Sequence, residues 1–389
     1  MKLFRSKKSL NAIVKTTWGN KLLKLEKGIT YVATTSFYNI LNYSFNRNTN
    51  STNFIDDVEI LEPLPETYLD IKPLNITRRF NNKTYHTLDE LVGKVESPRI
   101  LILNGFISGI GDNLVGMAAL KVFDKIYRPK FKSISYDIYN ENYMRIKDTL
   151  QRYNYISNYL DFPQDATNLN SYDAILDLDD IHAWYEFQTM PMVDCFLYVM
   201  GIDPSQVDPE DKRIVFDTND NAKREIKLIF DGIRFKSKKP IILFQYESSS
   251  KIRGIFNKEI LIDIINKLIK RSGYNIVILN DLDYDHFRLL KMKKFSPNLD
   301  YFAEIINNVD GVICTDTSAY HLADSYSKPT IALFTSINPN LRVKYYPTVE
   351  PIYLPGSDNN RLFGKFDSLD KEDLAYVDSL WKSLDIDEI

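Results

Sequence analysis

Three short stretches of the 389-residue chain combine residue types that do chemistry where strands give way to helices. The first is Asn104 to Gly116, NGFISGIGDNLVG, which follows the apolar run RILIL and leads into LVGMAALKVF. A dinucleotide loop would need Gly-x-Gly-x-x-Gly here. Gly109 and Gly111 fill the first two positions, but Leu114 holds the third, so the fingerprint fails. What remains is Asp112, at the top of a strand and the start of a helix. It reads as a helix N-cap, as a general base facing a ligand crevice, or as both.

The second stretch is Phe244 to Phe256, FQYESSSKIRGIF. Serine hydroxyls, among them Ser249, followed by Lys251 and Arg253 make either an exposed polar loop or a set of phosphate ligands. The third is Val312 to Phe334, VICTDTSAYHLADSYSKPTIALF. A strand runs into Asp316, Thr317 and Ser318, where a helix starts. Small hydroxyl residues at a helix N-terminus leave backbone N–H groups for an anion such as a diphosphate. His321, one turn on, faces that anion or the core. The bland alternative for the whole segment is an ordinary Asp or Thr cap.

The elements that must position these residues form an α/β chain. RILILNG, FKSISYDIY and YDAILDLDD read as strands, and DNLVGMAALKVFDKIY has helical spacing. A second α/β run starts at KPIILFQYE. NKEILIDIINKLIKRSG reads as an amphipathic helix with Gly273 as its C-cap, and YNIVILND, GVICTD and PTIALFT as strands. LDYFAEIINNVD and SAYHLADSYSK lie between them as helices, and LDKEDLAYVDSLWKSL closes the chain. Strands alternating with helices imply parallel, helix-covered sheets with ligands at the carboxyl ends of the strands. The expected domains are an irregular basic extension or small accessory domain over 1–97, carrying strand-like GITYVATTSF and DDVEIL, and a Rossmann-like domain over 98–215. A second Rossmann-like domain follows over 216–370, and a C-terminal helix over 371–389 packs back on the body. The Pro-broken segment from Gly201 to Lys223 is the expected linker.

Composition narrows the class. Hydrophobic content is 44% and charge 26%, and net charge is −3, so the total points to no partner. No apolar run is long enough for a membrane span, and the basic N-terminus lacks the apolar core of a secretory signal. Cys195 and Cys314 read as reduced core thiols of a cytoplasmic protein. Four histidines and two cysteines without paired spacing argue against a structural zinc site. Charge is uneven, however. Residues 1–50 hold nine basic side chains against Glu26, a surplus of +8 that leaves −11 elsewhere. Such an arm is a solvated leader or a footprint for a polyanion such as DNA. With 25 Tyr and 22 Phe but 14 Gly, the composition suits a low-GC genome, such as some bacteria or large phages.

Taken together, FISGIGDNLVGMAAL and ICTDTSAYHLADSYSKPTIALF resemble the two signature motifs of glycosyltransferase family 9, the ADP-heptose:lipopolysaccharide heptosyltransferases. The resemblance covers roughly residues 98–385. It implies the GT-B fold, two Rossmann-like domains facing a cleft, here with an N-terminal accessory extension. It implies an inverting transfer from a nucleotide-sugar donor, with Asp112 as catalytic base. Lys251 or Arg253 then binds the donor phosphates, and Asp316, Thr317 and His321 complete the donor motif. Ser318 departs from the family's usual glycine and narrows backbone approach to the donor. The aspartates Asp281, Asp283 and Asp285 are candidates for the nucleotide ribose. Cations and helix dipole suffice for the leaving diphosphate, so no metal and no further cofactor are expected. The family implies a lipopolysaccharide-core acceptor. The basic leader and the phage-like composition point instead to a hydroxymethylated base in phage DNA, contacted through residues 1–50 and flipped out for reaction. A cell-surface saccharide, a protein acceptor, or a sugar-nucleotide-binding protein without catalysis are the competing readings.

Overall fold

The computed structural model describes residues 2–16, 19–33, 58–60, 88–103, 109–139, 156–160, 164–169, 171–178, 181 and 185–386. The chain divides into two compact units. One comprises Met1–Phe187 with Val193–Val207, the other Gln188–Met192 with Asp208–Ile389.

The first unit opens with β-structure. Among the described residues, strands β1 (Lys2–Ser6), β2 (Leu10–Thr16), β3 (Gly19–Leu25), β4 (Thr30–Ala33) and β5 (Val58–Ile60) precede any long helix. β2 and β3 form an antiparallel hairpin of their own. Its α/β part holds β6 (Arg99–Leu103), helix α1 (Ile110–Tyr127), β7 (Ser135–Tyr139), β8 (Ile156–Leu160), β9 (Gln164–Asp165) and β10 (Ala174–Asp177). The parallel sheet runs β10-β6-β7-β8. Leu101 and Ile102, fully buried, show why RILIL reads as a continuous apolar run: helix-covered parallel strands hide both faces. A buried carboxylate fastens this sheet. Asp137 of β7 accepts from Arg99 (2.5 Å), Tyr172 (2.7 Å) and Asn158 (2.9 Å).

Among the described residues, those up to Ile60 fall mostly in strands. β5, β1 and β4 line up with β9 in a four-stranded antiparallel sheet, with Tyr31 opposite Asp165. The closing strand arrives from residues 164–165, inside the α/β unit. A pairing so distant in sequence leaves no local signal. The runs GITYVATTSF and DDVEIL do contain β4 and β5.

The second unit is a doubly wound α/β layer. From Val193 on, helix α2 (Met192–Val199) belongs to the first unit, and α3 (Asp220–Lys236) lies in the second. Then come β11 (Ile241–Gln245), α4 (Lys258–Ser272), β12 (Asn275–Ile278), β13 (Leu289–Lys291), α5 (Leu299–Asn308) and β14 (Gly311–Thr315). Helix α6 (Ser318–Ser325), β15 (Thr330–Phe334), β16 (Val349–Tyr353) and α7 (Lys371–Lys382) complete it. All strands are parallel, in the order β13-β12-β11-β14-β15-β16. Counted from β11 this is 3-2-1-4-5-6, with the order reversing between β11 and β14. Loops at that reversal are where open α/β sheets bind ligands.

Local chemistry sets the ends of these elements. Gly273 caps α4 in the left-handed conformation (φ 64°), as its sequence predicts. The segment Gly201 to Lys223, read as a linker, is ordered. Asp203 and Asp208 each cap a short 3-10 turn, and Asn219 caps α3 by accepting from the Ala222 N–H. Arg213 reaches the fully buried Asp324 at 3.1 Å, which fixes residues 208–219 to the second unit. The first unit's second segment ends at Val207, and the second unit resumes at Asp208.

Helix α7 belongs to the same core. Trp381, 1% exposed, packs with Ile255, Ile264 and Leu268 and donates its indole N–H to the Gly254 carbonyl at 3.1 Å. That bond clamps the loop after β11. Replacing Trp381 by Phe removes the donor and part of the filled volume. The second unit should lose about 1–3 kcal/mol, read as a lower urea midpoint with unchanged slope.

Candidate functional site

The loop after β11 is drawn tightly onto itself. The Ile255 N–H returns to the Tyr246 carbonyl at 2.9 Å, and Thr335 holds the Ile252 carbonyl at 2.5 Å. Gly254 allows this. A Cβ there would stand 2.8 Å from the Ser248 nitrogen and 3.1 Å from the Tyr246 oxygen. The fold therefore delivers Arg253 from a rigid turn. Its guanidinium meets Asp316, the residue after β14, at 3.1 Å and donates to Ser249 Oγ at 3.2 Å. Ser248 donates to the Asp316 carbonyl at 3.1 Å, which joins the two loops across the topological reversal.

Asp316 is 5% exposed. Burial alone would raise its carboxyl pKa. The Arg253 and Arg342 charges, with hydrogen bonds from Arg253 and Tyr320, outweigh burial and hold it below its ordinary value. The Tyr320 hydroxyl donates to its other oxygen at 3.0 Å. Thr317 is the N-cap of α6, its hydroxyl accepting from the Ala319 N–H at 3.2 Å. Ser318 is the first helical residue and half-buried. Arg253, Ser249, Asp316, Thr317 and Ser318 thus meet at the carboxyl ends of the central strands β11 and β14. Lys251 lies on the same loop, exposed, with no hydrogen bond or ion pair to a described residue.

His321 takes the core-facing alternative. It is 2% exposed, with Nδ1 sharing a 2.7 Å hydrogen bond with the Tyr346 hydroxyl. Its ring packs 4.2 Å from that of Tyr320. Burial pushes its pKa down to about 3, so the ring is neutral and brings no positive charge to an anion.

Asp281, Asp283 and Asp285 do not form a joint site. Each is exposed and pairs with its own lysine: Lys293, Lys258 at 3.3 Å and Lys291 at 2.7 Å respectively. Sequence reasoning passed over Glu247 instead. It is half-buried after β11 and accepts from Asn280, just past β12. Burial raises its pKa, against the pull of Lys293. The alternation Glu247–Ser248 is the signal: one side chain leans to β12 and the next to β14.

In the first unit, Asp112 is not the N-cap. Gly109 holds that position, and Asp112 lies in the first turn of α1, half-buried, where the helix dipole favours a carboxylate. Its Oδ2 lies 2.3 Å from where a Gly109 Cβ would stand. Residues 104–108 of the preceding turn lie outside the described residues. Cys195 and Cys314 are buried, and neither is in a disulfide. Among the described residues no group of three His, Cys, Asp or Glu side chains is placed to hold a metal ion, and no helix is long and apolar enough to cross a membrane.

Residues 219–353 match the family model of Glycosyltransferase family 9 (heptosyltransferase). The family recognised from the two motifs is thus found again over the segment that carries the second, while Asp112 lies outside the match. Among solved structures, the chain is similar to the E. coli ADP-heptose lipopolysaccharide heptosyltransferase II. The identity is 12% and the TM-score 0.48, over 73% of this chain and 98% of that one. A family 9 glycosyltransferase from Veillonella parvula gives 12% and 0.47, over 66% and 86%. The iron-containing dodecameric glycosyltransferase TibC from enterotoxigenic E. coli gives 12% and 0.42, over 65% and 64%. No curated protein sequence matches the chain.

The buried histidine yields a prediction. Unfolded histidine binds a proton below its ordinary pKa of 6.5, whereas folded His321 does so only near 3. Stability must therefore fall as pH drops through that window, by about 1.4 kcal/mol per unit from this group alone. Denaturant midpoints of wild type and His321→Gln, compared between pH 6.5 and 4, should show the shallower slope in the variant.

Proposed function

We propose that the chain is an inverting glycosyltransferase that moves a sugar from a nucleoside-diphosphate donor to an acceptor hydroxyl. The observation that carries this reading is Arg253, held beside the N-terminus of α6 at the reversal of a 3-2-1-4-5-6 sheet. The family 9 match over the same residues supports it. Arg253, Lys251 and the backbone N–H groups at Thr317 and Ser318 suit a diphosphate, whose negative charge grows as the glycosidic bond to it breaks. Glu247 and Asn280, toward β12, suit hydroxyl groups of the nucleoside.

Asp112 supplies the other half of the reaction. Its carboxylate takes the acceptor hydroxyl's proton while that oxygen attacks the anomeric carbon. One displacement at that carbon inverts it, and the nucleoside diphosphate leaves with the bonding electrons. Asp112→Asn keeps the shape and loses the base. Transfer should drop by roughly 10²- to 10⁴-fold, with donor-induced thermal stabilisation retained. Unchanged turnover would remove Asp112 from the mechanism. Stabilisation by donor with no transfer in wild type would favour a sugar-nucleotide-binding protein.

For the acceptor we propose DNA, a hydroxymethylated base being the group glycosylated. Lys7, Lys8 and Lys27 are exposed, and the Gly28 N–H to Ser6 carbonyl bond (2.8 Å) gathers them at one end of the N-terminal strands. The adjacent β2–β3 hairpin adds Lys15, Lys21 and Lys24 in sequence. An antiparallel ribbon rich in lysine can follow a groove while its cations meet phosphates. Duplex DNA should bind with an affinity that falls steeply with salt. Gln at Lys7, Lys8 and Lys27 should reduce both affinity and slope in a fluorescence-anisotropy titration. Salt-independent or absent binding would return the acceptor to a saccharide or protein. Two buried thiols outside any disulfide suit a cytoplasmic setting for this chemistry.

A further inference from the structure

We propose that Tyr320 is a positioning residue for the donor diphosphate, acting through Asp316 on Arg253; the inference rests on the donor site proposed above. Asp316 cannot itself welcome a diphosphate, because both are anions. Its use must lie in what it holds. One oxygen takes Arg253 Nη1 at 3.1 Å, and the other takes the Tyr320 hydroxyl at 3.0 Å. The second guanidinium nitrogen is tethered to Ser249 at 3.2 Å.

Tyr320 is a firm anchor for this relay. It is 1% exposed, and its ring lies 4.2 Å from His321, 5.7 Å from Phe334 and 6.3 Å from Tyr346. The spacing from Asp316 to Tyr320 is four residues, one turn across the Thr317 cap, so the hydroxyl returns to the carboxylate from the helix wall. An arginine side chain that binds an anion from a free rotamer distribution loses conformational entropy on binding. Here that ordering is already made in the fold. The neutral phenol can hold Asp316 without competing with Arg253 for its charge, which a cation at position 320 would do.

The test uses inorganic pyrophosphate as a probe independent of the nucleoside, together with the tightest binder among ADP, UDP and GDP. Affinities are measured by calorimetry for wild type, Tyr320→Phe, Arg253→Gln and the double variant. Tyr320→Phe keeps the ring and removes only the hydroxyl. It should weaken diphosphate binding roughly three- to tenfold, the scale of one hydrogen bond. In the Arg253→Gln background it should cost nothing further. Equal losses in both backgrounds would show a merely structural tyrosine and overturn the inference.

Asp316→Asn gives an independent reading should the Phe variant fold poorly. Charge repulsion alone predicts tighter pyrophosphate binding once the carboxylate is neutralised. Positioning predicts weaker binding, and a gain in affinity would overturn it. A wild type that takes neither pyrophosphate nor any of the three nucleotides would remove the donor site and this inference together. Binding that survives in wild type but ignores Tyr320 would remove the inference alone.

Discussion

A carboxylate taken out of water costs several kcal/mol unless it is paired and fully hydrogen-bonded. Asp316 meets that condition only because two separate pieces of chain converge on it. The loop after β11 brings Arg253 and, through Ser248, fixes the Asp316 backbone, and α6 brings Tyr320. Each piece is then constrained by its own packing. Gly254 must be glycine for the loop to close, and Trp381 of the last helix holds the Gly254 carbonyl. The carboxyl end of the second sheet is rigid because a buried charge had to be satisfied there.

The first unit shows that the same residue types need not make a site. Asp137 also sits buried, with an arginine and a tyrosine on it. The difference is position. Arg99 begins β6, at the amino end of its strands, and Asp137 lies within β7, so the charge serves to fasten β6, β7 and β8. Arg253 and Asp316 follow the ends of β11 and β14, on the side where α/β sheets leave room for ligands. Chemistry alone would have nominated both clusters, and topology separates them.

That distinction marks what could be read from the sequence. The strands RILIL, KPIILFQYE, GVICTD and PTIALFT and the capped helices carry strong local patterns, and the structure has them all. Arg253, Ser249 and Asp316 were legible as members of motifs, because loops after buried strands are short. The contact between them was not, since Arg253 and Asp316 lie 63 residues apart. His321 shows the limit most clearly. One turn into a helix it has equal claim to the anion and to the core, and only Tyr346, from beyond β15, decides for the core. The N-terminal sheet was hidden for the same reason, its last strand coming from residues 164–165. Helix α3 was legible in principle, with Asn219 as cap and Ala222, Ile226 and Phe230 buried at four-residue spacing. The nearby prolines masked it.

The glycine turn before α1 can now be given a physical reason. A pyrophosphate loop needs glycines so that backbone can approach the ligand. Gly109 has an ordinary extended conformation, with φ −87°, so no backbone strain demands glycine there. The Asp112 carboxylate folds back over Gly109, and a Cβ at that position would lie 2.3 Å from Oδ2, the far end of a flexible side chain. An alanine would push the carboxylate off the start of α1, where the helix dipole supports its negative charge. Gly109 thus leaves room beside the first turn of α1 for an acid carried by the protein itself. Where a dinucleotide loop would place its third glycine, Leu114 turns a buried side chain into the core.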